Sequence, residues 1–366
     1  MMNDNKQRFV VGIGQAFSSA QQLLEFEVTG VRKTSFEIGM GILKSVIHWL
    51  ILNLQKRLQS LIDYAMPKLL VFGEALIDLK AKSALEFEGF VGGSPLNVAL
   101  AAARLGLPSA LATRVSTDFF GQEIMNLLGQ NAVQTDFLER GDEPSTLAFV
   151  RIENGQPNYS FRFAGTSFLE YQAKKSLPKD LEAVHIGSIF VLFPELAART
   201  FAVMGGFSGL KHYDINARPA IESNPDKYRA TLPRALERSD WVKCSREDFE
   251  FLYPNTSETD FAASILGNAA VVVVTDGGEG ARLYRKNQAV LEVKTPKVQV
   301  VDTVGAGDTF SGATIQQLLA MQLQNRAALE NASHETLTSV IEFAARAAAL
   351  NCTKAGCNPP RLEEMI

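Results

Sequence analysis

Short, continuous apolar runs alternate along most of this chain with stretches whose apolar residues recur every three to four positions. Runs at residues 69–72, 110–114, 183–186, 241–243 and 271–275 read as strands buried on both faces. Residues 97–105, 121–131, 194–204 and 335–351 carry helical periodicity. This alternation predicts an α/β domain with a mainly parallel sheet covered by helices on both faces. A further apolar run at 298–301 reads as a strand, and a helix is expected from Thr309 onward.

Residues 146–163 break the pattern. TLAFVRI and NYSFRF alternate apolar and polar positions around Asn154-Gly155, the strongest short hairpin signal. A hairpin inserted into an α/β domain has few ways to bury both faces, so a lid or a dimer contact is expected. Its exposed edge favours pairing with a second copy, so a homodimer through the lid is expected.

The domain is expected to span 66–366, opening with MPKLLVFGEALIDL at Met66. Before it, Leu43, Val46, Ile47, Leu50, Leu54, Leu58 and Leu61 predict an amphipathic helix. Residues 1–65 then read as a natural extension, a surface-seeking helix, or upstream sequence brought in by an early start. A Gly12-x-Gly14 pair lacks the third glycine of a dinucleotide fingerprint.

The most apolar segment, 45–54, is about half of the ~20 residues a membrane span needs, and the start of the chain carries no secretory signal pattern. A soluble, cytoplasmic protein is therefore expected.

A net charge of −4 over 366 residues argues against a nucleic-acid partner. Cys244, Cys352 and Cys357 fit neither a disulfide framework nor a zinc site, and four histidines show no metal-ligand spacing.

The chemistry concentrates in VQVVDTVGAGDTFSGA, from Val298 to Ala313. Gly305-Ala306-Gly307 is a turn almost without side chains ahead of a helix, so free N–H groups and the helix dipole make an anion site. Asp308 beside it is either a helix cap or a base. As a base it would take the proton of a hydroxyl lying between it and a phosphoryl group.

DTVGAGD, Asp302 to Asp308, resembles the second signature of the ribokinase-like (PfkB) carbohydrate kinases, and VGGSPLNVALAAARLG, Val91 to Gly106, resembles the first. FGEALIDL, VTDGGEGA and AALNCTKAGCNPP are similar to the opening strand, the ATP-lining turn and the C-terminal adenine segment, all in the family's order over residues 66–366.

The resemblance implies a doubly wound, mainly parallel α/β fold of the ribokinase-like kind with a small β lid, MgATP as phosphoryl donor, Asp308 as base and Gly305, Ala306 and Gly307 as anion hole. It implies Asp78, Gly92, Gly93 and Asn97 at the sugar, and Thr275, Gly277, Gly278, Gly280 and Asn351 at the nucleotide. Asp302 becomes a candidate ligand for a monovalent cation such as potassium. Where many members carry N-x-x-E, this chain has Ser245-Arg246-Glu247-Asp248, which leaves Asp248 as the candidate magnesium organiser.

Arg162 falls where fructokinases and 2-keto-3-deoxygluconate kinases carry an arginine that reaches the substrate, and guanidinium suits carboxylate or phosphate. The opening segment looks most like the fructokinase branch. Fructose is thus the expected substrate, followed by 2-keto-3-deoxygluconate and then ribose or a nucleoside. Phe90, Phe161, Phe163 and Phe168 are either an apolar wall for a base or lid core. A sugar-sensing regulator with no catalysis is the alternative of another class.

Overall fold

The computed structural model describes residues 66–153, 156–173 and 175–366. The predicted helix before Met66 and the Asn154-Gly155 turn lie outside the described residues.

Parallel strands β1 (Leu69–Phe72), β4 (Ser109–Ala112), β9 (Ala183–Gly187), β10 (Leu210–Asp214), β11 (Trp241–Ser245) and β12 (Val271–Thr275) form the centre of an eight-stranded sheet. Antiparallel β13 (Ala281–Tyr284) and β14 (Leu291–Val293) complete one edge, in the order β14-β13-β12-β11-β10-β9-β1-β4. Every residue of β1 is buried, as two-sided helical cover requires.

One apolar cluster packs α1 (Ser94–Arg104), α7 (Ala306–Ala320) and α9 (His334–Cys352) on one sheet face, centred on Leu96, Leu318 and Ile341. On the other face, α3 (Pro194–Val203), α4 (Pro225–Leu236), α5 (Arg246–Leu252) and α6 (Glu258–Ile265) pack through Leu196, Tyr228, Leu252 and Phe261. Between them in the chain, α2 (Phe119–Gln130) starts on an Asp118 cap, and α8 (Arg326–Asn331) on an Asn325 cap.

The lid is larger than the predicted hairpin. β7 (Leu147–Glu153) and β8 (Gln156–Arg162) pair antiparallel, and β2 (Leu76–Ala81) and β3 (Phe87–Gly92) extend them into the sheet β3-β2-β7-β8. The opening segment therefore does not run as one strand: the chain leaves β1 at Phe72 and enters a different sheet at Leu76. The expected strand at 298–301 is also corrected. Val300 and Val301 are exposed, and this coil is tied to α9 by the Val301 and Asp302 N–H groups donating to the Cys352 carbonyl. Apolar residues alone predicted a burial that no neighbouring strand supplies. Among the described residues no helix is long and apolar enough to cross a membrane.

Candidate active site

The site lies where α1, α7, the ends of the central strands and the lid sheet meet. Gly305 caps α7 in the left-handed region, at φ 74°, and a Cβ there would lie 2.2 Å from Cys357 Sγ. Only glycine satisfies both constraints. The Ala306 N–H bonds the Thr303 carbonyl at 3.2 Å, whereas those of Gly307 and Asp308 lie in the first turn, where no intrahelical acceptor exists.

Asp308, in that first turn, is buried. Ser94 Oγ donates to its Oδ1 at 2.7 Å and Asn97 Nδ2 to its Oδ2 at 2.8 Å. Asn216 Nδ2 in turn donates to Ser94 Oγ at 2.7 Å. Burial pushes the Asp308 pKa up, against the pull of these two hydrogen bonds and of Arg218. Asn97 thus spends a donor on Asp308, which leaves its carbonyl for a hydroxyl.

Asp78 stands on β2, and a Cβ on Gly92 would fall 2.1 Å from its Oδ2, so the glycine makes room for the carboxylate. Burial raises its pKa to about 6; Arg218 lowers it and Asp308 raises it. Gly93 caps α1. Glu74, only 3% exposed, joins this acidic group. Its Oε2 has no hydrogen-bond partner among the described residues, and burial lifts its pKa to about 7.

Arg162 lies elsewhere. Register pairs Phe90, Asp78, Ala148 and Phe161 across the lid, while Arg162 pairs with Leu147 and Ile77, one residue out of phase. Strand alternation puts it on the opposite face, where its guanidinium stacks 5.5 Å from the Phe149 ring. The Asp78 face carries Tyr159 and Phe161, stacked at 5.7 Å, and Phe163 continues the row at 5.2 Å from Phe161. Phe168 is core, at 1% exposed.

The arginine that does face the carboxylates is Arg218, after β10. Burial opposes its charge, yet Asp308, Asp248 and Glu74 hold its pKa above the ordinary arginine value. Among the described residues no carboxylate lies within ion-pair distance of it. Sequence reasoning missed Arg218, Ser94, Asn216 and Glu74; Ser94, beside the recognised Gly-Gly pair, had the clearest local signal.

Several expected ligands are committed within the protein. Asp248 accepts from the Ala217 and Ser245 N–H groups at 2.7 and 3.0 Å and completes the cap of α5. Asp302 accepts from the Val304 and Gly356 N–H groups, both at 3.0 Å. Asn351 donates to the Val304 carbonyl and accepts from the Asn358 N–H, both at 2.8 Å. Gly280 sits against β14, where a Cβ would strike the Val293 carbonyl. The contacts of Asp248 and Asn351 brace the fold because buried polar groups need partners, while Asp302 is only half-buried.

By contrast, Cβ atoms built on Gly277 and Gly278, just beyond Thr275, meet nothing within 4 Å. That open backbone and the α7 N-terminus fit a nucleotide and its phosphates. Among the described residues no three His, Cys, Asp or Glu side chains cluster to hold a metal, so a magnesium ion would arrive on the phosphates, as is usual for it.

The sequence profile of the pfkB family carbohydrate kinases matches residues 66–365. The chain belongs to that family. This carbohydrate kinase is 34% identical over 260 residues to a fructokinase of Rhizobium leguminosarum bv. trifolii, covering 68% of this chain and 79% of the relative. It is 31% identical over 302 residues to a fructokinase of Vibrio alginolyticus, covering 80% and 94%. A Xylella fastidiosa fructokinase crystallised with bound ATP superposes with a TM-score of 0.73 at 28% identity, over 82% of this kinase and 97% of that chain. A double mutant of Vibrio cholerae fructokinase, in a form with fructose, ADP and potassium bound, gives 0.67 at 27% identity, over 80% and 94%.

Proposed function

We propose that this kinase transfers the terminal phosphoryl group of ATP to a hydroxyl of fructose. The observation that carries the reading is Asp308: a carboxylate fixed by Ser94 and Asn97 in the first turn of a helix whose N-terminus suits phosphate. Likeness to fructokinases over most of the domain selects the sugar.

Asp78, the Asn97 carbonyl and the Gly92-Gly93 backbone bind the sugar hydroxyls. Asp308 accepts the proton of the attacking hydroxyl as that oxygen bonds to phosphorus, and ADP departs with the electron pair of the broken bond. At the glycine turn, the N–H groups of Gly307 and Asp308, which have no intrahelical acceptor, stabilise the charge that collects on the equatorial oxygens. Thr275, Gly277 and Gly278 border the nucleotide. A magnesium ion carried in on the nucleotide would supply neutralisation of the phosphate charge. Asp302, held by two backbone N–H groups, keeps lone pairs for a potassium ion.

One observation favours a second substrate. The guanidinium of Arg218, which donates to the Ala217 carbonyl but among the described residues meets no carboxylate within ion-pair distance, suits an acidic sugar such as 2-keto-3-deoxygluconate. ADP release from MgATP with fructose, 2-keto-3-deoxygluconate, ribose and adenosine decides. Turnover preferring fructose is the expected result; preference for the acidic sugar gives Arg218 the deciding role; no turnover on any overturns the kinase reading.

A further inference from the structure

The reaction above leaves unexplained a buried ion pair directly behind the glycine turn. Lys243 Nζ donates to Asp214 Oδ2 at 2.8 Å and Oδ1 at 3.1 Å, and Ser311 Oγ donates to Asp214 Oδ2 at 2.8 Å. The two charged side chains are 4% and 1% exposed. A Cβ on Gly307 would lie 3.4 Å from Lys243 Nζ, so the ammonium reaches the turn itself. Gly307 and Ser311 are one helical turn apart on α7. The pair therefore lies along that first turn, ammonium toward the N-terminus and carboxylate one turn in.

Without a ligand this is a poor arrangement. Burying two charges carries a desolvation penalty that their attraction need not repay, and a helix N-terminus disfavours a nearby cation. Burial also works against the charge on Lys243, yet Asp214, aided by Asp248 and Asp308, holds its pKa above the ordinary lysine value. Helix and ammonium thus present positive potential to the same point.

We propose that Lys243 is a positioning residue for phosphoryl transfer, whose buried ammonium, held by Asp214, acts through the Gly307 turn to stabilise negative charge gathering on the transferred group. The proposal rests on the kinase reading above.

Two variants test it. K243M removes the charge at similar length, and D214N/K243M removes both charges, so that no unpaired carboxylate is left buried. Each is compared with the wild type on the sugar that the wild type phosphorylates. Sugar and ADP affinities are measured by calorimetry. The third readout is the rise in Tm when aluminium fluoride, a planar phosphoryl mimic, is added to enzyme with ADP, magnesium and sugar.

Both variants should lose about 10²-fold in kcat, and the aluminium fluoride increment should vanish. Sugar and ADP affinities should stay within about threefold of the wild type. Ethylammonium, but not propanol, should restore part of the rate to K243A. A folded double variant that keeps kcat within about threefold, or keeps the increment, overturns the proposal and leaves the kinase reading intact. If K243M does not fold, the double variant decides; if neither folds, the ethylammonium response of K243A decides, and its absence overturns the proposal. A wild type inactive on every sugar sinks both readings.

Discussion

Asn97 Nδ2 donates to Asp308 Oδ2 across 2.8 Å, joining residues 211 positions apart. Together with Ser94, it fixes the carboxylate from the start of α1, so the two sequence signatures meet in one hydrogen-bonded unit. D308N removes the proton acceptor and should lower kcat by about 10²- to 10⁴-fold. ATP affinity, measured by calorimetry, should be retained. The cap of α7 is Gly305 and not Asp308, so full activity in D308N would leave Asp308 only the structural role of tying α7 to Ser94 and Asn97.

Ser94→Ala removes one of the bonds that favour ionised Asp308. Its pKa should rise, and because the base acts in its ionised form, the acid limb of the kcat/KM profile should move to higher pH. An unmoved limb, or one moved to lower pH, would show that Asp308 does not set it.

The two arginines should separate cleanly in steady-state kinetics. R162A, on the outer lid face, should leave kcat/KM within about threefold, whereas R218A should lose about tenfold or more. The reverse order would mean that the lid turns its other face to the substrate.

Stability in mild acid should reflect opposed buried groups. Burial holds His185 near pKa 4 and His212 well below its ordinary 6.5. The unfolded chain therefore takes up protons that the folded one refuses, and stability falls as pH drops below 6.5. Burial raises Glu74 to about 7 and Asp78 to about 6, so these groups cost stability as pH climbs from their ordinary values of 4.5 and 3.8. The wild type should show a shallow profile between pH 4.5 and 6.5. In urea unfolding, E74Q should gain about 2–3 kcal/mol at pH 7.5 and little at pH 4.5, and so become steeper in acid. Equal gains at both pH values would rule out proton linkage at Glu74.

What the sequence made legible follows from where the physics is local. LLVF and VVVVT were readable to the residue because an unbroken apolar run needs only burial on both sides. LKHYD was missed because its polar residues are satisfied across strands, His212 by His185 at 3.0 Å between Nδ1 atoms and Asp214 by Lys243. Neither partner can be inferred from one strand alone. The glycine turn and Asp308 stood out by composition. Which arginine faces the carboxylates did not, because the face that Arg162 takes depends on the register of four strands brought together from distant parts of the chain. Asp248, Asp302 and Asn351 had suitable chemistry for ligands, but the part of their hydrogen-bonding capacity that goes to holding loops is not visible in the sequence.

The contact between Gly305 and Cys357 also sets an order in time. The catalytic turn leans on Cys357, Gly356 holds Asp302, and Asn351 anchors Val304. All three supports are translated after the turn they hold. A chain still growing on the ribosome short of Cys357 can already contain Asp308 and both signatures, yet lack the wall behind them. The supports of that turn are thus complete only once synthesis has passed Cys357, whereas every strand of the central sheet, ending at Val293, is translated earlier.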